Sequence, residues 1–277
     1  MLKQRIITAL ILIGLLIPAL FHQDPQWIAL AGLVLIAAAA WEWGRLNSLE
    51  LYPAMTLAVL SLGVCGFLWA NDLIIYFDRS FWLFAGACWV LMGCYLIKTG
   101  VQHWSRVPLL LRWFGGTVLL CTTWLALVVA KSFSIDFLLS VLMLVWVADI
   151  AAYFAGKAWG KHKLAQGISP GKTWEGVAGA VAGVFCLAFI WVNVSAYFAW
   201  PSQSIFNRLY THGYAVFILG LLFLVSMSVV GDLIESLVKR SAGAKDSSQL
   251  LPGHGGVLDR IDALLPTLPL AVMLALL

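Results

Sequence analysis

Residues Gly231–Asp262 read GDLIESLVKRSAGAKDSSQLLPGHGGVLDRID, a run of charge in a chain of 277 residues that is otherwise strongly apolar. Asp232, Glu235, Asp246, Asp259 and Asp262 stand there with Lys239, Arg240, Lys245, Arg260 and His254, although only 11% of the chain is charged and 62% is hydrophobic. If the apolar run before Asp232 continues as a helix, Asp232, Glu235 and Lys239, at i, i+3 and i+7, share one face, with Ser236 and Arg240 on its flank. Gly243, Gly253, Gly255 and Gly256, with Pro252, then predict a loop whose backbone can approach a ligand closely. Asp259 and Asp262 open the last apolar segment. Carboxylates beside lysines, arginines and free N–H groups suit a divalent cation holding a polyphosphate, because hard cations take oxygen ligands and phosphates take positive donors. A solvated connector between two membrane helices would account for the bases. It does not account for acids at the end of an apolar run, where burial is costly and marks function.

Outward from this stretch, a mean hydropathy of +0.94 and repeated long apolar runs exclude an ordinary globular core. The expected fold is an all-α polytopic membrane protein of about nine transmembrane helices. The candidate spans lie near Ile6–Phe21, Trp27–Gly44, Ala54–Ala70, Phe81–Ile97, Gly115–Ala130, Phe137–Ala155, Gly176–Tyr197, Tyr214–Val230 and Ala263–Leu277. Several fall short of the roughly 20 residues that cross a hydrocarbon core, so their ends extend into flanking residues.

With nine spans, the 17 basic residues divide unevenly between the two sets of loops: all but Arg79, Lys131 and Arg208 fall in one set. The positive-inside bias therefore predicts a cytoplasmic N-terminus and cytoplasmic loops 156–175 and 240–262. Residues 1–135 read as an N-terminal transmembrane scaffold and 136–277 as a C-terminal catalytic region. The net charge of +4 follows from that bias and from phosphate binding, so no nucleic-acid partner is expected. The start of the chain has the outline of a signal peptide without a small-residue cleavage site, and reads as a retained span. Cys65, Cys88, Cys94, Cys121 and Cys186 show no metal-ligand spacing and read as packing residues. Glu42, between Trp41 and Trp43, suits an interfacial anchor as well as a buried functional acid, and the anchor is the preferred reading.

A second informative stretch, DIAAYFAGKAWGKHKLAQGISPGKTWEG, runs from Asp149 to Gly176. Asp149 lies inside an apolar segment and should face a polar interior with a partner, Tyr153 sharing its face. Ser169 and Pro170 suit a helix start, Ser169 capping and Pro170 at the first helical position, which would offer free N–H groups to an anion. Gly171-Lys172-Thr173 invites comparison with a P-loop, but the spacing back to Gly167 is one residue short of that motif.

Both stretches resemble the conserved blocks of the phosphatidate cytidylyltransferases, or CDP-diacylglycerol synthases. The first carries Ser236, Lys239-Arg240, Lys245-Asp246, Pro252-Gly253-His254-Gly255-Gly256 and Asp259-Arg260-Ile261-Asp262; the second carries Asp149, Ala152-Tyr153, Gly156 and Ser169–Gly176. Ala263 stands where a serine is more usual and Ser248 where many members carry glycine. The resemblance covers the C-terminal half by motif and the N-terminal half by hydropathy. It implies a multi-pass protein of a bacterial-type cytoplasmic (inner) membrane. There it would join CTP to phosphatidic acid on the cytoplasmic face, giving CDP-diacylglycerol and pyrophosphate and requiring Mg²⁺.

Carried over by motif, Asp232 and Asp259 are the first choices as metal ligands, with Asp262, Asp246 and Asp149 behind them. Lys239, Arg240, Lys245, Arg260 and Lys172 would hold phosphates; His254 would contact the triphosphate or shape the glycine-rich loop. Ser169, Thr173, Ser236, Gly255 and Gly256 complete the substrate-binding set. The attacking phosphomonoester is already ionised at neutral pH, so positioning and charge neutralisation suffice without a general base. The sequence leaves open whether a monovalent cation joins the Mg²⁺ and whether the chain forms a homodimer. A transferase or kinase acting on another lipid phosphate, such as a polyprenyl phosphate, is the alternative; a transporter would more often show matched internal repeats.

Overall fold

The computed structural model describes residues 2–277, with side-chain surroundings from Ile6 onward. The side chains of Lys3 and Arg5, which carry part of the orientation argument, lie outside the described residues. The chain is an all-α membrane bundle with one small hairpin. Its helices are α1 (Leu2–Phe21), α2 (Gln26–Leu46), α3 (Leu51–Ala70), α4 (Arg79–Thr99), α5 (Val101–Trp104), α6 (Leu109–Phe133) and α7 (Ile135–Trp159). Strands β1 (Lys163–Ala165) and β2 (Ser169–Thr173) follow, then α8 (Trp174–Tyr197), α9 (Ile205–Thr211), α10 (Tyr214–Ser241), α11 (Leu258–Ile261) and α12 (Leu264–Ala275).

Every one of the nine expected segments is helical. Among the described residues, 7 helices (α2, α3, α4, α6, α7, α8 and α10) are long and apolar enough to cross a membrane. α1 contributes a shorter apolar stretch, Ile6–Phe21. α12 has 12 residues with Pro269 inside it, about 18 Å at the helical rise, against the roughly 30 Å of a hydrocarbon core. It begins inside the bundle, where the Leu265 carbonyl accepts the Thr123 hydroxyl from the middle of α6 at 3.0 Å.

The loops sort to two ends. At one end Trp104 donates its indole N–H to Asn47 Oδ1 at 2.9 Å, Trp113 donates to the Asn47 carbonyl at 2.9 Å, and Trp43 donates to the Arg112 carbonyl at 2.7 Å. Both signature stretches lie at this end, where Thr8 of α1 donates to the Pro252 carbonyl at 3.0 Å. At the other end Lys131 donates to the carbonyls of Leu20 and His22, at 2.6 and 3.0 Å. Arg208 stacks over Phe133 at 4.8 Å there and donates to the Ala275 carbonyl at 3.4 Å. Arg79 opens α4 at that same end, beside Phe77, which lines one cavity with Ser132 and Leu276. The three basic residues that stand apart in the sequence thus share one end of the bundle.

The region before α8 departs from the sequence expectation. Ser169 and Pro170 do not start a helix; they lie in β2, which pairs antiparallel with β1 through Lys163–Thr173 and Ala165–Ser169. The physical reason is the better cap four residues on. Thr173 has extended backbone and its hydroxyl accepts the Gly176 N–H at 3.1 Å, so α8 begins at Trp174. His162 ties the hairpin down, its backbone N–H and ring nitrogen meeting the Glu175 carboxylate at 3.2 and 2.6 Å.

α7 and α8 pack along small residues: Gly179 and Gly183 face Ala155 and Ala151, so the backbones approach closely. Gly231 allows a second close approach. A Cβ there would stand 2.5 Å from the Asp262 carbonyl and 2.8 Å from Pro266, so α10 can touch the entry to α12 only through glycine. We predict that Gly231→Val lowers the thermal midpoint of the detergent-purified protein, a cost of about 1–3 kcal/mol for overpacking. Gly14→Val, whose Cβ meets nothing within 4 Å, should melt like the parent.

Candidate functional site

α10 runs on through the charged stretch to Ser241 and presents its acids at the loop-rich end. Asp232 Oδ2 pairs with Lys172 of β2 at 2.6 Å, and Ser236, one turn on, donates to Asp232 Oδ1 at 3.2 Å. Asp149 of α7 and Asp262, just past α11, lie within electrostatic range of this pair. Asp149 is on the open side of the group: its residue surface is accessible while most of what surrounds its carboxylate is protein. Four segments of the chain thus bring three carboxylates and a lysine together. Burial, reinforced by the Asp232 carboxylate, pushes the Asp262 carboxyl up to about 8. A single lysine does not offset three acids.

One turn further along α10 a second group adjoins the first. Lys239 bridges Glu235 Oε2 at 2.5 Å and Asp259 Oδ1 at 2.6 Å. Asp259 Oδ2 accepts the Ser247 N–H at 2.9 Å, the Ser247 hydroxyl at 2.9 Å and the Gly256 N–H at 2.8 Å. Burial alone would raise the Asp259 carboxyl, but the Lys239 ammonium and these N–H donors hold it down to about 2. Asp232 and Asp259, the first choices as metal ligands, therefore pair with different lysines. Glu235 is buried at 2% exposure, and its Oε1 has no hydrogen-bond partner.

The glycine-rich segment between them is built on a tight turn. Pro252 and Gly253 occupy its central positions, Gly253 at φ 78°, and the His254 N–H returns to the Leu251 carbonyl at 2.8 Å, the pattern of a type II turn. Arg260 donates through Nε and Nη2 to the His254 carbonyl, so its fork grips the loop. His254 Nδ1 is buried without a partner. Gly255, at φ 81°, leads into Gly256. Arg240, Lys245 and Asp246 are exposed, and among the described residues none of them forms an ion pair. Ser169 is half-buried in β2, and Thr173 serves as the α8 cap.

For Glu42 the sequence favoured the wrong one of its two readings. It is not an interfacial anchor: at 0% exposure its carboxylate is enclosed by the segment 247–258. Oε1 accepts the Ser248 hydroxyl at 2.5 Å and the Val257 N–H at 2.9 Å; Oε2 accepts the Leu258 N–H at 2.7 Å and meets the Ser247 hydroxyl at 3.1 Å. A buried acid needs such donors, and flanking tryptophans gave no hint that they would come from more than 200 residues away. The only sequence signal was the acid itself, within an apolar run.

The donor set fits a divalent cation of the hard, oxygen-loving kind. Asp149, Asp232 and Asp262 carry an excess of negative charge, and Glu235 Oε1 is an orphaned oxygen beside them. Among the described residues, no group of three or more His, Cys, Asp or Glu side chains is placed to hold a metal ion by itself. Mg²⁺ needs no such group, because it keeps several waters and binds through one or two carboxylates plus substrate phosphates.

Comparison with known proteins places this site in a family. A model described as the cytidylyltransferase family matches residues 3–277. The chain is 36% identical over 287 residues to the phosphatidate cytidylyltransferase of Haemophilus influenzae, with 97% of this chain and 96% of that relative covered. It is 37% identical over 278 residues to the one from Pseudomonas aeruginosa, covering 97% and 95%. The Brucella suis phosphatidate cytidylyltransferase is 32% identical over 270 residues, covering 95% and 89%. With its signature acids and bases gathered at one end of an all-α bundle, and with relatives matched over nearly their full lengths, the chain belongs to the cytidylyltransferase family.

Proposed function

We propose that the protein transfers the cytidylyl group of CTP to phosphatidic acid, giving CDP-diacylglycerol and pyrophosphate in phospholipid biosynthesis. The observation that carries this reading is the pairing of two carboxylate–lysine groups, Asp232–Lys172 and Asp259–Lys239, at the membrane end that also holds the exposed bases Arg240, Lys245 and Arg260. A phosphate oxygen of phosphatidic acid attacks the α-phosphorus of CTP. The new P–O–P bond forms as the α–β bond breaks, and the electron pair leaves with pyrophosphate. The attacking group is already anionic, so the protein's task is to hold two polyanions together and neutralise them.

Asp232, with one of Asp262 and Asp149 and the substrate phosphates, would hold a Mg²⁺ ion, which would supply charge neutralisation to the triphosphate. Asp259, its oxygens already filled by Lys239, Ser247 and Gly256, instead holds the Lys239 ammonium in place. Lys172 can exchange Asp232 for a substrate phosphate, and Arg240 and Lys245 extend the positive surface. Arg260 sets the His254–Gly256 loop. The reaction side is the cytoplasmic face of a bacterial inner membrane, where CTP is available and where the majority of the lysines and arginines would lie.

Activity is tested with purified protein, Mg²⁺, radiolabelled CTP and either phosphatidic acid or a polyprenyl phosphate. Label should enter lipid with phosphatidic acid; incorporation with the polyprenyl phosphate alone would overturn the reading. Asp232→Asn and Asp259→Asn should each lower turnover by about two or more orders of magnitude. They should separate in a metal-binding measurement: Mn²⁺ binding, followed by electron paramagnetic resonance, weakens in Asp232→Asn and persists in Asp259→Asn. For orientation, single cysteines replace Lys245 or Arg79 in a background without the native cysteines. A membrane-impermeant maleimide should label position 79 in intact spheroplasts and position 245 only after lysis.

A further inference from the structure

Glu42 belongs to α2, in the half of the chain that carries none of the signature residues; it accepts from Ser248, Val257 and Leu258 and shares the single Ser247 hydroxyl with Asp259. Resting on the cytidylyl-transfer reading, we infer that Glu42 is a positioning residue for the reaction, acting through Ser247 on Asp259 and through Asp259 on Lys239.

The geometry forms a continuous chain. The Ser247 hydroxyl stands between two carboxylates, 3.1 Å from Glu42 Oε2 and 2.9 Å from Asp259 Oδ2. The other Asp259 oxygen takes Lys239 at 2.6 Å. Each member is fixed by the next, and the first is fixed by the scaffold. The glycine-rich loop is held to the same point, because a Cβ on Gly256 would run into both the Ser247 hydroxyl and the Glu42 carboxylate. Only glycine lets the backbone cross there. Glu42 also takes the N–H groups of Val257 and Leu258, the otherwise orphaned donors at the start of α11, so the segment carrying Asp259 and Arg260 leaves the loop at a set angle. Substrate-neutralising groups must be placed within a fraction of an ångström to act on developing charge. Glu42 performs that placement without touching the reacting atoms.

A purely structural Glu42 would make its contacts equivalent: losing any one of them would loosen the protein and leave turnover per folded molecule unchanged. The inference makes Ser247 and Ser248 unequal. Ser248 donates to Glu42 alone, whereas Ser247 reaches both Glu42 and Asp259.

Ser247→Ala and Ser248→Ala are purified and assayed with Mg²⁺, CTP and phosphatidic acid, and thermal midpoints are recorded alongside. Ser247→Ala should lower kcat about 10- to 100-fold, with the KM for CTP within about twofold of the parent and little change in midpoint. Ser248→Ala should keep kcat within about twofold. Glu42→Gln keeps the side-chain volume but turns an amide N–H₂ toward a backbone N–H. It should lower kcat as Ser247→Ala does, and the double variant should be no worse than the more severe single one, as for residues that act as a unit. Where Glu42→Gln yields no folded protein, Glu42→Asp, which withdraws the charge by a methylene, takes its place in the cycle. Equal kcat in the two serine variants, additive losses in the double variant, or losses confined to the thermal midpoint would overturn the inference. Absence of cytidylyl transfer by the parent would instead overturn the function on which it rests.

Discussion

A carboxylate removed from water has to receive its hydrogen bonds from the fold, and this bundle is arranged around meeting that demand. Glu42 is satisfied by the Ser248 hydroxyl and two backbone N–H groups, and Asp259 by a lysine and two backbone N–H groups, while the one Ser247 hydroxyl lies within reach of both. An unsatisfied buried acid costs several kcal/mol, so the loop 242–257 cannot drift without stranding one of them. The loop contains almost no regular structure, yet its path is fixed by the acids it covers.

The other acids are arranged differently. Asp149, Asp232 and Asp262 share Lys172 and little else, while Glu235 leaves one oxygen without a partner. The contrast separates two tasks within a few turns of α10. The saturated group around Asp259 holds shape, and the under-compensated group around Asp232 retains charge, which under the proposed function would attract a cation and a polyphosphate. A helix that continues past the apolar run serves both, because residues three and four apart share a face.

Much of this was legible in the sequence wherever the determining contacts are local. The apolar runs located the long helices and the shorter α1 and α12, Pro252 and the glycines marked the loop, and the alternation of basic residues matched the two ends at which the loops gather. Three features were not legible. Ser169-Pro170 has the chemistry of a helix start, but Thr173 caps α8 and the intervening backbone is drawn into a hairpin. α12 is helical over 12 residues within the expected span Ala263–Leu277, too few to cross a hydrocarbon core on their own. Glu42 takes its identity wholly from distant partners, and no local pattern distinguishes an acid bound by a remote loop from one that faces lipid headgroups.

The separation between Glu42 and Leu258, 216 residues along the chain, has a consequence for biosynthesis. At roughly 5–20 residues per second, about 10 to 40 seconds pass between synthesis of the acid and synthesis of its last donor. Throughout that interval α2 carries a carboxylate with none of its final partners. The acid lies one turn from the end of the helix, where water at the membrane surface can serve until the loop arrives. Only when the C-terminal segment arrives does α2 receive the backbone and hydroxyl donors that take its acid out of water.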